Sequence, residues 1–94
     1  MKYRSRTEIV SHILEAANGG TTKTKIMYKA FLSYSQLKEY LLLLVENDLL
    51  LNEVDGSYRT TEKGIKFLAT TRQLGELFDI HSSPAQELSL AQVL

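Results

Sequence analysis

Apolar residues near the start of the chain recur at the three- and four-residue spacing of an amphipathic helix. The first helix is predicted to begin after Ser5, which forms a capping box with Glu8. It is predicted to end at Asn18-Gly19-Gly20, because glycine adopts the left-handed conformation without strain. The face expected to enter the core comprises Ile9, Val10, Ile13, Leu14 and Ala17.

A second, shorter helix is predicted after these glycines. Thr21 or Thr22 caps its start, and the helix runs to about Lys29. Residues 30–32 then form a turn. The residues that we expect this helix to bury are Ile26, Met27 and Ala30.

The third helix begins at Ser33, which forms a second capping box with Gln36. A helical wheel divides the residues that follow into two faces. The core face carries Leu37, Tyr40, Leu41, Leu44 and Val45. The outer face is mixed in character and carries Ser35, Gln36, Lys38, Glu39, Leu42, Leu43 and Glu46.

The pattern then changes to two short extended runs separated by Asp55-Gly56. Residues 49–54 and 57–61 are predicted as strands, joined by a two-residue type I′ turn. This loop length sets a register in which Asn52 opposes Arg59. Arg59 is the only basic residue of the hairpin; it pairs with Glu53 or Asp55, or else lies against nucleic acid.

Thr61 is predicted to cap a long final helix over residues 62–80. Its first turns are expected to pack on the domain through Ile65, Leu68 and Ala69. A second spacing is that of a short coiled-coil seam against another copy, formed by Phe67, Thr70, Leu74, Leu77 and then His81. Residues 81–94 are predicted to be a mobile terminus; if they fold, their leucines would cover the seam or bind a partner protein.

Three helices, a two-stranded hairpin and a long helix, in this order, predict the winged helix-turn-helix fold, an α+β and mainly α architecture. We expect the core with its wing at residues 1–61, the final helix at residues 62–80 and the tail at residues 81–94. The most frequent task of this fold is to place one helix in a DNA groove.

The net charge of zero hides an asymmetry along the chain. Residues 1–29 contain six basic and two acidic side chains, a net charge of +4. The rest contains five basic and nine acidic side chains, a net charge of −4. Any surface that faces phosphates should therefore centre on the N-terminal half, unless the charge block is only solvated surface.

Several functional classes find no support in the sequence. There is no cysteine, and the two histidines are far apart, so neither a disulfide framework nor a metal site is predicted. No glycine-rich phosphate loop or catalytic constellation appears, so we expect neither an enzyme nor a cofactor. The apolar runs are too short to span a bilayer, and the start lacks a signal-peptide pattern, so we expect a cytoplasmic protein.

Several segments resemble the small archaeal winged-helix proteins associated with DNA and chromatin. They are Ile26-Met27-Tyr28, Leu32-Ser33-Tyr34, Leu37, Tyr40-Leu41 and the run from Tyr58 to Gly64. The resemblance covers roughly residues 4 to 80. It implies a homodimer joined through an antiparallel coiled coil of the final helices, a nucleoid location, and DNA contacts from Tyr34, Ser35, Gln36, Lys38 and Arg59.

A neutral chain gains little from counterion release, so we expect a sequence-selective, dimeric transcriptional regulator rather than a protein that coats DNA. Its third helix would enter the major groove of double-stranded DNA with Ser35, Gln36 and Lys38 near the bases. Phosphates would be held by Lys23, Lys25, Lys29 and Tyr34. Two alternatives remain open: non-specific binding to chromatin, and a protein-interaction module whose exposed patch includes Leu42 and Leu43.

Overall fold

The computed structural model describes residues 4–78 of the chain, with side chains described up to residue 75. The order of elements confirms the predicted winged fold. Four helices and two strands follow one another as α1 (Arg6–Ala17), α2 (Lys23–Ala30), α3 (Tyr34–Glu46), β1 (Leu50–Asn52), β2 (Tyr58–Thr60) and α4 (Glu62–Phe78). Predictions for residues 79–94, including the last two residues of the final helix, His81 and the tail, lie outside the described residues.

Side-chain caps fix the starts of the first three helices, as predicted. Ser5 accepts a hydrogen bond from the Glu8 N–H while the Glu8 carboxylate accepts one from the Ser5 N–H. Ser33 and Gln36 form the same reciprocal pair at the start of α3. Thr22, rather than Thr21, caps α2 by accepting from the Lys25 N–H. Each cap satisfies backbone N–H groups that a helix start leaves without an intrahelical partner.

The turn between α2 and α3 contains an unexpected backbone conformation. Phe31 ends α2 with a φ of 56°, in the left-handed region that favours glycine. Its N–H donates to the Tyr28 carbonyl, and the Leu32 N–H donates to the Met27 carbonyl, which together form a Schellman motif. Leu32 is buried, whereas the Phe31 side chain is 82 % exposed.

The hairpin has a different loop from the one predicted. The backbone pairs Leu51 with Arg59 and Asn52 with Tyr58, a shift of one residue from the predicted register. The Gly56 N–H donates to the Glu53 carbonyl, and Gly56 has a φ of 89°. Asp55 lacks the positive φ that a type I′ turn requires. The loop is therefore a three-residue connection closed by a left-handed glycine.

The Asp55 side chain supplies the physical reason for this longer loop. Its carboxylate accepts the Ser57 N–H at 2.9 Å and the Ser57 hydroxyl at 2.7 Å. In the two-residue loop, the Ser57 N–H would have paired with the backbone of the opposite strand. Local side-chain hydrogen bonding of this kind competes with the ladder of a hairpin, and here it prevails.

The hairpin is anchored to the helical part of the domain at two points. Thr21, in the α1–α2 loop, exchanges two backbone hydrogen bonds of 2.8–2.9 Å with Tyr58. The buried Thr60 hydroxyl donates to the Leu14 carbonyl at 2.6 Å. Strand β2 therefore lies between β1 and the α1–α2 loop, which holds the base of the wing against α1.

The apolar core confirms the predicted faces of α1 and α3. The largest fully or almost fully buried side chains of α1, α2 and α3 are Ile13, Leu14, Ile26, Leu37 and Leu44. Val45 and Met27, also predicted as core, are only partly buried against this cluster. Apolar burial of this extent is the main stabilising term of a small domain without disulfides.

The prediction for the packing of α4 was wrong at two of its three positions. Leu68 is buried, but Ile65 is 41 % exposed and Ala69 is exposed as well. The helix turns a different face to the core because Gly64 lies directly on the hairpin. A Cβ atom at Gly64 would lie 2.5 Å from both the Leu49 carbonyl oxygen and a Thr60 methyl group. This close approach rotates Phe67, instead of Ile65, toward the core.

Candidate nucleic-acid interface

The N-terminal turns of α3 present polar side chains to solvent. Ser35, Gln36, Lys38 and Glu39 are all exposed, while Leu37 between them is buried and holds the helix on the core. Neither α2 nor α3 has an acidic residue in its first turn. The partial positive charge of each helix N-terminus is therefore not offset by a nearby carboxylate, and this favours anions at this surface.

Tyr34 brings basic side chains from α2 and α3 together. The Lys23 ammonium lies 6.0 Å from the centre of the Tyr34 ring, and the Lys38 ammonium lies 5.5 Å from it. The ring is 55 % exposed, so both ammonium groups stay in contact with water. We call Lys23, Tyr34 and Lys38 the α2–α3 corner.

Two further lysines extend the positive surface along α2. Lys25 and Lys29 are exposed and lie one helical turn apart. Within residues 4–75, none of the four lysines on α2 and α3 forms an ion pair with a carboxylate. The structure thus groups three of the predicted DNA contacts, Lys23, Tyr34 and Lys38, and leaves the other two lysines unneutralised on α2.

The Gln36 side chain has a structural role that restricts any contact with a base. Its amide oxygen accepts the Ser33 N–H at 3.0 Å. The Ser33 hydroxyl in turn accepts the Gln36 N–H at 3.1 Å. The sequence predicted both the capping box and a base contact for this residue. The structure shows the capping box, so one of the two lone pairs of the amide oxygen is used within the fold, and the amide NH2 has no hydrogen-bond partner among the described residues.

Arg59 is held within the wing, which consists of β1, β2 and the loop between them. Its Nε donates to a Glu53 carboxylate oxygen at 3.2 Å. The observed register explains this pairing: Glu53 lies diagonally across from Arg59 on one face of the hairpin. The sequence allowed two interpretations of Arg59, an ion pair with an acidic residue or a contact with nucleic acid. The structure shows the ion pair, with Glu53 as the partner.

The α1–α2 loop also shapes the surroundings of Arg59. A Cβ atom at Gly20 would lie 2.9 Å from the guanidinium nitrogen Nη2. Gly20 has a φ of 97°, which disfavours any residue with a side chain. The missing side chain gives Arg59 the space in which it reaches Glu53.

Hydrogen bonding also changes the acidity of the wing loop. The backbone N–H of Ser57, and then its hydroxyl, hold the pKa of Asp55 below its usual value. The wing loop therefore keeps its negative charge to lower pH than a free aspartate does. That carboxylate, together with Glu53, surrounds the single arginine of the wing with acidic groups.

Exposed apolar and aromatic side chains flank the basic surface, and sequence reasoning did not assign a role to most of them. Tyr28 in α2 is 70 % exposed, Phe31 in the α2–α3 turn is 82 % exposed, and Val54 is fully exposed at the wing tip. Leu42 and Leu43 are exposed on the outer face of α3, as predicted. The arrangement at Phe31 could not be read from apolar spacing, because it depends on the left-handed backbone.

Arg4 is a further basic residue that sequence reasoning counted but did not place. Its guanidinium donates to the Phe31 carbonyl at 3.1 Å and to His12 Nδ1 at 2.8 Å. Because an arginine can only donate, His12 must present Nδ1 as an acceptor. Arg4 therefore connects the segment before α1 to the α2–α3 turn, and some of the hydrogen-bond donors of its guanidinium are used within the fold.

The residues predicted for a dimer seam lie along one side of α4 but differ in how far they are buried. Phe67 is half-buried against the protein's own core, whereas Thr70 and Leu74 are exposed. Leu77 lies within α4, but its side chain is outside the described part. The exposed part of the predicted seam is thus reduced to Thr70 and Leu74 among the side chains described.

Across the residues that the structure describes, no group of three or more histidine, aspartate and glutamate side chains is arranged to hold a metal ion. None of the helices described is long and apolar enough to cross a membrane.

The same fold is found in proteins of known structure and in a defined family. A family model described as winged helix-turn-helix matches residues 3–79. The chain is also similar to the crystal structure of Sso10a-2, a DNA-binding protein from Sulfolobus solfataricus. The two share 26 % sequence identity with a TM-score of 0.73, over 92 % of this chain and 94 % of the other. No match was found among curated proteins.

Proposed function

We propose that this chain, which belongs to the winged helix-turn-helix family, is a DNA-binding protein that places α3 in the major groove of double-stranded DNA. The observation that carries the proposal is the α2–α3 corner. The ammonium groups of Lys23 and Lys38 lie 6.0 and 5.5 Å from the centre of the exposed Tyr34 ring and have no carboxylate partner among the described residues. The similarity to the Sulfolobus DNA-binding protein supports the same function.

The contacts divide by chemistry into those that position the protein and those that read bases. Lys23, Lys25, Lys29 and Tyr34 are suited to phosphates, because ammonium and hydroxyl groups donate hydrogen bonds to them. Ser35, Gln36 and Lys38 lie on the exposed turns of α3 and would face base edges. Arg59 would contact flanking DNA only after exchanging Glu53 for a phosphate, so its contribution should be the smaller one.

Charge supports a selective regulator over a protein that coats DNA. The chain has zero net charge, and only a few unpaired lysines lie beside α3. Non-specific affinity grows with the number of phosphates neutralised, so few contacts give weak bulk binding. Specific contacts to bases would then supply the remaining affinity. We therefore propose a role as a transcriptional regulator. This role requires no catalytic activity, and the protein would act at the nucleoid.

We also propose that the protein acts as a homodimer joined through α4. Leu74, near the end of α4, is 48 % exposed, and Thr70, about one turn before it, is exposed as well. An exposed leucine at this position of a long helix is suited to packing against a second copy. Two copies would present two α3 helices to two half-sites, as dimers with this motif commonly do.

The direct test is fluorescence anisotropy with a pool of random-sequence duplexes at two salt concentrations, followed by recovery of the bound sequences. The proposal predicts salt-sensitive binding and enrichment of a motif with two half-sites. Binding without enrichment would favour the chromatin-associated alternative. No binding at low salt would contradict DNA binding and favour a protein-interaction module, to which the exposed Leu42 and Leu43 would then contribute.

A further inference from the structure

Arg6, the first residue of α1, lies over an aromatic ring of α3. Its guanidinium carbon is 5.9 Å from the centre of the Tyr40 ring. The spacing within α1 explains this position, because Arg6 comes four residues before Val10 and so continues the stripe of apolar residues that packs on the core. Tyr40 is 9 % exposed, whereas Arg6 is exposed. Arg6 therefore covers the edge of the core and keeps its charged group in water.

The charge of Arg6 is not neutralised within the described part of the fold. Arg6 has no carboxylate partner among residues 4–75. Glu8 is the acidic residue in the first turn of α1, but residues two apart on a helix do not face each other. The Glu8 carboxylate instead accepts the Ser5 N–H at 2.8 Å. Like the lysines of the α2–α3 corner, Arg6 is thus a cation beside an aromatic ring, and its charge is available to an anion.

Arg6 and the corner lie at opposite edges of the exposed face of α3. Tyr34 and Lys38 are about one turn apart and form one edge, where the Lys23 ammonium also lies. Tyr40 follows Lys38 by two residues and therefore points to nearly the opposite side of the helix. Arg6 lies over that second edge. The exposed face of α3 is therefore flanked by cations on both sides.

Two cationic edges suit the geometry of the major groove. The groove is about 12 Å wide between its two phosphate backbones, and an α-helix with its side chains is about 10–12 Å across. A helix that faces the bases therefore brings one edge near each backbone. The middle of the exposed face of α3 has no basic residue and consists of Ser35, Glu39, Leu42 and Glu46. Cations for the two backbones must therefore come from the edges.

We infer that Arg6 binds a phosphate on the strand opposite to the one that Lys23 contacts, so that α3 is held between the two backbones of one groove. This inference rests on the proposed function, in which α3 enters the major groove. Arginine is suited to this role because its guanidinium donates two parallel hydrogen bonds to phosphate oxygens. The capping box of Ser5 fixes where α1 begins, and the contact with Tyr40 holds the guanidinium at the edge of α3.

The first test is the salt dependence of binding, measured by anisotropy with random-sequence duplexes, so it needs no defined site. Arg6→Gln should bind about fivefold more weakly at physiological salt. Its slope of log binding constant against log salt concentration should be shallower by about 0.9, the value for one phosphate contact. Arg6→Lys should restore the slope, since an ammonium also binds phosphate. The matched control is Arg72→Gln, which removes one positive charge from an exposed position of α4 and should leave the slope almost unchanged.

A purely structural role for Arg6 gives a different result. If Arg6 only covers Tyr40, Arg6→Gln will lower the unfolding temperature, measured by circular dichroism, and keep the salt slope of the wild type. An unchanged slope in a folded Arg6→Gln, or an equal change of slope in Arg72→Gln, would overturn the inference and leave DNA binding intact. Absence of DNA binding by the wild type at low salt would overturn the proposed function as well.

The strand assignment is tested with methylphosphonates, which replace single phosphates by uncharged groups in a duplex recovered from the random pool. For the wild type, replacement should weaken binding at positions on both strands of a half-site. Arg6→Gln should lose this sensitivity on one strand, and Lys23→Ala should lose it on the other. Loss on the same strand in both variants would contradict the inference that the two cations hold opposite backbones.

Discussion

The α2–α3 corner and the wing each expose basic side chains, but they differ in what surrounds the charge. At the corner, Lys23 and Lys38 face the neutral ring of Tyr34 at 6.0 and 5.5 Å. In the wing, Arg59 is bonded to Glu53 at 3.2 Å, and Asp55 lies in the loop beyond it. An ammonium beside a ring keeps its charge available to a phosphate, whereas a guanidinium beside a carboxylate must first give up that partner. DNA affinity should therefore depend on the corner far more than on the wing.

The largest expected effect comes from removing the charge of the corner. The double variant Lys23→Ala and Lys38→Ala should bind DNA about tenfold more weakly or worse, since the phosphate contact of Lys23 with its counterion release and the base contact of Lys38 are both lost. Anisotropy titrations at constant salt measure the change. Lys66→Ala combined with Arg72→Ala is the matched control, because it removes two exposed positive charges from α4. Equal losses in the two double variants would mean that only total charge matters and that the corner has no special role.

A smaller effect is expected when the wing arginine is released from its carboxylate. Glu53→Gln should raise DNA affinity by about threefold and should steepen the dependence on salt, because Arg59 can then neutralise a phosphate. The variant Glu15→Gln removes one exposed carboxylate from α1 and serves as the control. If both variants raised affinity alike, the gain would come from net charge and not from freeing Arg59.

The smallest expected effect concerns the strained residue in the turn that joins the two helices of the corner. Phe31→Gly should stabilise the fold by about 0.5–1 kcal/mol, because glycine adopts a φ of 56° without the steric cost that a side chain pays. Phe31→Ala removes the same exposed ring but keeps Cβ, so it should not gain this stability. Thermal or urea unfolding measures both. Equal stability of the two variants would show that backbone strain is not the cause.

The same two variants test whether the DNA-binding surface extends from the corner to Phe31. The Phe31 ring is 82 % exposed, yet it is not among the groups assigned to DNA. We therefore expect unchanged DNA affinity in both. A matching loss of affinity in Phe31→Gly and Phe31→Ala would extend the binding surface from the corner across the turn.

The helical part of the fold could be predicted from sequence because its signals are local. The capping boxes of Ser5 and Ser33 fix where α1 and α3 begin, and apolar spacing within each helix fixes which face is buried. The hairpin register could not be predicted, because two competing partners for the Ser57 N–H lie within a few residues of each other. The Asp55 carboxylate, at 2.9 Å, prevailed over the ladder partner of a two-residue turn.

The face of α4 was missed for a reason that lies outside that helix. Apolar spacing alone allows either Ile65 or Phe67 to face the core. The choice depends on the contact of Gly64 with the Leu49 carbonyl and with Thr60. Both residues lie outside α4 in the sequence, so no pattern of residues within α4 includes them.

For the candidate site, the sequence identified the basic residues but not their availability. The partner of Arg59 depends on the hairpin register, and the contacts of Tyr34 with two lysines depend on how α2 packs beside α3. The double role of Gln36 was present in the sequence as two separate predictions. Only the geometry shows that the amide oxygen accepts the Ser33 N–H, which fixes the orientation of the side chain at the start of α3.

The corner, and not the wing, is proposed to supply the charge that faces the phosphates of DNA. The most direct test is the slope of log binding constant against log salt concentration for the wild type, Lys23→Ala and Arg59→Ala. We predict that the slope for Lys23→Ala becomes shallower by about 0.9, the value for one phosphate contact on duplex DNA, while that for Arg59→Ala hardly changes. A shallower slope for Arg59→Ala with an unchanged slope for Lys23→Ala would contradict this proposal.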